Sequence, residues 1–93
     1  MGLKDNRNIY DSLNPALRDK AIKFLRKLLT IKTKKEIKIA INNNPEHWFT
    51  PYHFGWGMTI RNKLREAGFG ENDFEIKNID DIYVELVEDA INK

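Results

Sequence analysis

Apolar positions recur along this chain mostly at helical spacing. Leu17, Ala21, Phe24, Leu25, Leu28 and Leu29 make one wide stripe, and Asp19, Lys20, Lys23, Arg26 and Lys27 lie opposite. Asn14-Pro15 stands before it, a capping residue followed by a proline whose missing N–H costs nothing in a first turn. The pattern predicts a helix over 15–29. A second stripe is formed by His53, Trp56, Gly57, Ile60, Leu64 and Ala67, between a Thr50-Pro51 start and a Gly68 stop. It predicts a helix over 51–67. A third, Ile79, Ile82, Tyr83, Leu86, Val87, Ala90 and Ile91, predicts a helix over 79–91. Asn78 or Asp80 caps it, Asp80 and Asp81 suit its positive end, and Glu85, Glu88 and Asp89 should form an exposed acidic face.

The stretch after the first stripe carries two signals. Thr33-x-x-Glu36 is a capping box, which predicts a helix over 34–42. Ile37, Ile39 and Ile41 alternate as in a strand. Helix is preferred, because a lone strand has no partner for its backbone groups. Asn42-Asn43-Asn44-Pro45 ends this element, and 69–77 reads as a loop. The expected fold is therefore all-α, a single small domain of four main helices around a central, aromatic-rich and most deeply buried helix. Residues 1–12 read as a polar lead-in, with Ile9 and Tyr10 packing on the body, and 13–93 as the domain.

Composition narrows the function classes. The chain has 93 residues, enough for one core, and 41% are apolar. No apolar run is long enough to span a membrane, and no signal-peptide pattern is visible. There are no cysteines, which removes disulfides, thiolate metal sites and thiol catalysis, and favours a cytoplasmic setting. The net charge of +2 is uneven. Residues 1–40 hold eleven Lys or Arg against four Asp or Glu, while 41–93 hold five against ten. The halves can attract one another, or the basic half can meet an anionic partner. Lys20, Lys23, Arg26, Lys27, Lys34 and Lys35, with Lys38, are the candidate anion-binding residues.

Tyr52, Trp56, Phe54, Trp48 and Phe49 crowd into nine residues beside Gly55 and Gly57. Helical glycines each cost about 1 kcal/mol relative to alanine, so close packing or a ligand must compensate. His53-Phe54-Gly55-Trp56-Gly57-Met58, with Arg61-Asn62, resembles the His-Phe-x-x-Gly-Met-x-x-Arg-Asn signature of an uncharacterised domain-of-unknown-function family. That family's downstream Asp pair would be Asp80-Asp81. The likeness covers about half the chain, from His53 onward. It departs at Lys63-Leu64-Arg65-Glu66, where the family has Asn and an aromatic-rich segment, and at Ile82-Tyr83, where it has Met-Ser. It supports the domain assignment and implies no activity.

The candidate pocket residues are His53, Gly55, Trp56, Gly57, Arg61, Asn62 and Asp81. A His–carboxylate pair with an anion-holding Arg61 is the conceivable enzyme, but no nucleophile–base motif accompanies it. His47 and His53 are six apart, which does not suit a helical metal pair, so no metal or cofactor is expected. Arg61 is expected to pair with Asp80 or Asp81 and tie two helices together. Two functions remain: a protein-interaction or regulatory module with exposed aromatics, or a nucleic-acid binder using the first two helices. Their connection lacks the glycine turn of a helix-turn-helix. Oligomeric state carries no signal.

Overall fold

The computed structural model describes residues 7–52 and 55–92. It is all-α, with no strand among those residues. The helices are α1 (Arg7–Asp11), α2 (Pro15–Leu28), α3 (Ile31–Asn43), α4 (Trp56–Glu66), α5 (Glu71–Phe74) and α6 (Tyr83–Asn92). Single 3-10 turns occupy Thr50–Tyr52 and Ile79–Asp81.

Local chemistry explains most boundaries. The Asn14 side chain accepts from the amides of Ala16 and Leu17, at 2.9 and 3.2 Å, and Pro15 opens α2 as expected. Asn78 accepts from the Asp80 amide at 3.0 Å and opens the turn before α6. Gly68 sits at φ +89°, the left-handed conformation that stops α4. Four boundaries differ from expectation: the short helix α5 stands inside the stretch 69–77 read as a loop, the helix expected from residue 79 opens as a 3-10 turn before α6, and the starts of α3 and α4 move. Thr30, not Thr33, caps α3: its hydroxyl accepts from the Thr33 amide at 3.1 Å. The Thr33–Glu36 box is thus displaced by a start three residues earlier, and the 37–41 segment is helical. The helix expected from residue 51 is instead a 3-10 turn, with α4 restarting at Trp56 after Gly55 (ψ −97°). Gly55 has no side chain to cap the helix and little tendency to continue it.

The core is built around α6, which corrects the expectation that the aromatic helix is the most buried. Tyr83, Val84, Glu85, Leu86 and Val87 are all buried, so every side of the first turns of α6 is covered. Its main partner is α2, through Ala21, Ile22 and Leu25. Glu85, expected on an open acidic face, is therefore inside. Glu88 and Asp89 are half-buried and serve as acceptors. Trp48 Nε1 donates to Glu88 Oε2 at 2.7 Å, and the Tyr10 hydroxyl donates to Asp89. Trp48 and Phe49 are core residues. So is Tyr10, and Ile9 packs against the core. The end of the expected lead-in is thus the short helix α1, pinned to α6.

Tyr10→Phe isolates the α1–α6 tie. A hydrogen bond to a carboxylate contributes about 1.5–3 kcal/mol, and its loss should appear in full because the ring still fills its site. Urea denaturation should show that loss, and a cycle with Asp89→Asn should show coupling between the two positions.

Candidate functional site

The predicted pocket residues divide. His53 lies outside the described residues. Gly55 is exposed at the start of α4 and has no heavy atom within 4 Å of where a Cβ would sit. Gly57 is the opposite case. A Cβ there would lie 2.9 Å from the Tyr52 carbonyl oxygen and 3.1 Å from the Tyr83 hydroxyl. The glycine exists for close packing, and no space for a ligand remains against its backbone.

Arg61, one turn further along α4, meets the same tyrosine. Its guanidinium lies over the Tyr83 ring, 5.1 Å from the centroid, and Nη1 donates to Asp80 Oδ1 at 2.5 Å. The expected tie between the central helix and the start of the last one is thus made through Asp80. Burial raises the Tyr83 hydroxyl to about 12; Arg61 opposes that rise and Asp80 adds to it. A phenol held there stays protonated near neutrality and cannot act as a base. Arg61, Asp80 and Tyr83 form a structural joint. Asp81 is among the residues lining a groove of about 540 Å³, with Ile9, Ser12, Phe74 and Ile76. Asn62 is exposed and accepts from Arg65 Nη1 at 3.0 Å.

Arg65 makes a second joint between α4 and the chain that follows. Its Nε and Nη2 reach the two oxygens of Glu71 at 3.0 and 2.8 Å. Glu71 also accepts from the Ile79 amide at 3.3 Å. The hydrogen bonds from Arg65 hold the Glu71 carboxyl down at about 2, against a smaller opposing effect of burial.

The candidate anion-binding residues are partly reassigned. Lys20, Lys23 and Lys27 are exposed on one side of α2, at i, i+3 and i+7, and none forms an ion pair among the described residues. Arg26 leaves the set: it is half-buried and its Nε donates to the Ala90 carbonyl of α6 at 3.3 Å. On α3, Lys35 and Lys38 are exposed, whereas Lys34 is half-buried on the flank.

The exposed apolar surface is spread more widely than the aromatic stretch: Met58 of α4 is 46% exposed, and further open residues lie on α2 and α3. Trp48 and Phe49 are buried and Trp56 is half-buried. Phe54 lies outside the described residues. Ile31 is 74% exposed and Ile39 is 60% exposed. Both lie on the outer side of α3, and Leu28 at the end of α2 is also open. Helical spacing puts Ile31, Lys32, Lys35, Lys38, Ile39 and Asn42 within an arc of about 120°. The hint lay in Ile37-Lys38-Ile39: a thirteen-residue helix cannot bury every isoleucine of that stretch on one face.

Among the described residues, no group of His, Asp or Glu comes together to hold a metal ion. No helix among them is long and apolar enough to cross a membrane. No protein-family model, no curated protein and no solved structure matches the chain.

Two outcomes test the joints. Gly57→Ala should destabilise by about 1–3 kcal/mol, because the backbone carbonyl of Tyr52 cannot withdraw as a flexible side chain could. The thermal midpoint should fall by roughly 4–8 °C per kcal/mol. Glu71 is depressed in the folded chain relative to its ordinary value of 4.5. Its stabilisation is therefore complete above that value and is lost as pH falls towards 2. Thermal melts should show Glu71→Gln less stable than the parent at pH 6, with the gap closing between pH 4.5 and 2.

Proposed function

We propose that this domain is a protein-interaction module whose docking face is the outer side of α3. Its partner is an acidic segment that carries apolar side chains. The observation that carries the reading is the pair of open isoleucines, Ile31 and Ile39, on either side of Lys35. Single exposed apolar residues need no explanation, but two on one side of a helix, beside an open Leu28, make a patch. Isoleucine is also a poor choice for an exposed helix position, where alanine or a charged residue would favour the helix and solubility more. Lys32, Lys35 and Lys38 surround the patch and form no ion pair among the described residues. Charge complementarity therefore selects a negative partner, and the isoleucines supply the apolar anchors.

A photo-crosslinking residue at position 35 tests this. The segment captured should be acidic with apolar positions. Resynthesised as a labelled peptide, it should bind the domain in an anisotropy titration. Ile31→Ser with Ile39→Ser should weaken that binding by about tenfold or more, on the scale of two lost apolar anchors. Added salt should weaken it further. These exposed changes should leave folding within about 0.5 kcal/mol. A captured peptide that binds the double variant as tightly as the parent would overturn the assignment.

A second reading rests on α2. Lys20, Lys23 and Lys27 on one open side support contact with nucleic-acid phosphates. Labelled short duplex DNA should then bind with a log–log salt slope of about −0.9 per phosphate contact, and Lys23→Glu with Lys27→Glu should abolish it. Absence of binding at low salt removes that reading and leaves the α3 face untouched.

A further inference from the structure

We propose that a small pocket between α3 and the Tyr52–Trp56 pair binds a methylated ammonium group. The pocket lies on the flank of α3 beside the docking face and does not rest on that reading. It has a volume of about 150 Å³ and is lined by Thr33, Glu36, Ile37, Tyr52 and Trp56. The Tyr52 and Trp56 rings are 6.0 Å apart between centroids and inclined at 72°. Both are half-buried, so two nearly perpendicular rings form a corner open to solvent. Trp48 packs on Tyr52 at 6.5 Å, and its own indole is fixed by Glu88. The corner therefore has a rigid back.

The chemistry of this corner selects a soft cation. Aromatic faces carry negative potential, and a cation within about 6 Å of a ring centroid is attracted to it. Glu36 adds a carboxylate at the rim. It is exposed and forms no ion pair or hydrogen bond among the described residues. The Tyr52 hydroxyl and the Trp56 indole N–H likewise have no polar partner among them. A bare ammonium is strongly hydrated and costly to strip of water, whereas methyl groups spread its charge and suit an apolar corner. Helical spacing turns Lys34, Lys35 and Lys38 away from Thr33, Glu36 and Ile37, and no cation stands among the described residues that line the pocket. The volume admits one small head group, well below the roughly 300–1,000 Å³ of pockets for larger ligands. Such a head group occurs on a methylated lysine side chain and on free choline-like molecules.

Amide and indole NMR spectra of the whole chain would be followed during titration with tetramethylammonium, choline and a short trimethyl-lysine peptide. The uncharged choline isostere 3,3-dimethylbutanol is the control. The expected result is saturable movement of the Trp56 indole signal and of the Thr33 and Ile37 amides, in the millimolar range typical of a small fragment. The Trp48 indole, bonded to Glu88, should stay in place. The neutral isostere should bind about tenfold more weakly, between the contributions of exposed and fully desolvated cation–π contacts. Glu36→Gln, an exposed change that leaves the fold intact, should weaken the cations several-fold and leave the isostere unchanged. Tighter binding of the peptide assigns the site to methylated lysine, and tighter binding of choline assigns it to a free small molecule. No saturable shift at tens of millimolar, equal binding of cation and isostere, or indifference to Glu36→Gln would each overturn the proposal.

Discussion

The covering of α6 on every side is the constraint from which the rest of this structure follows. A ten-residue helix with three carboxylates is placed where most of its surface touches other parts of the chain. Burying carboxylates is costly unless donors reach them. The neighbouring elements bring donors to two of them, Glu88 and Asp89. Trp48 reaches Glu88 from the loop after α3, and Tyr10 reaches Asp89 from α1. Arg26 of α2 satisfies the carbonyl of Ala90, one of the last four of the helix, which have no intrahelical partner. α1, α2 and the loop after α3 thus each contribute a polar contact to α6, and these directional contacts fix where they sit.

That arrangement also sets the surface electrostatics. The acidic half of the sequence spends much of its charge internally. Glu85 is buried, Glu88 and Asp89 are half-buried acceptors, and Asp80 and Glu71 are bound by arginines. The lysines of α2 and α3 are not drawn into those pairs. A nearly neutral chain therefore presents a positive outer side on α2 and α3 that its net charge of +2 understates. The α3 face adds Ile31 and Ile39 to that field, whereas α2 exposes one large apolar residue, Leu28 at its end. The difference separates a surface able to anchor a folded or folding peptide from one suited only to phosphates.

Most of the helical framework was legible because its signals are local. Asn14-Pro15, Asn78 and Gly68 act through their own backbone neighbours, and the structure uses them as their chemistry dictates. The Arg61–Asp80 pair was legible because each end falls on a predicted helix terminus or face. The late start of α4 at Gly55 is a local effect, and the other misplacements are non-local. A helical stripe read on residues 79–91 assumes one side faces water, and nothing in the sequence of α6 reveals that it is enclosed. Glu85 was consequently placed outside. Thr30 and Thr33 are both competent caps, and the choice between them depends on where Leu29 must be buried. Tyr10 looked peripheral because its partner, Asp89, stands seventy-nine residues away.

The same distinction bears on the motif that first drew the eye to α4. Gly57 and Arg61 are four residues apart, so they lie on one side of α4, and that side meets Tyr83. The glycine makes room for the tyrosine hydroxyl; the arginine covers the ring and reaches Asp80. A Gly-x-x-x-Arg spacing followed by a distant Asp therefore has a sufficient mechanical reason here, the locking of α4 against the entry of α6. Function can then reside on surfaces the motif does not include. This is why the pocket beside Tyr52 and Trp56 and the outer side of α3 are more informative than the residues whose pattern is most conspicuous. Their side chains hold chemistry that the fold does not use: open isoleucines, lysines in no ion pair among the described residues, and a carboxylate that lines one pocket with two aromatic rings.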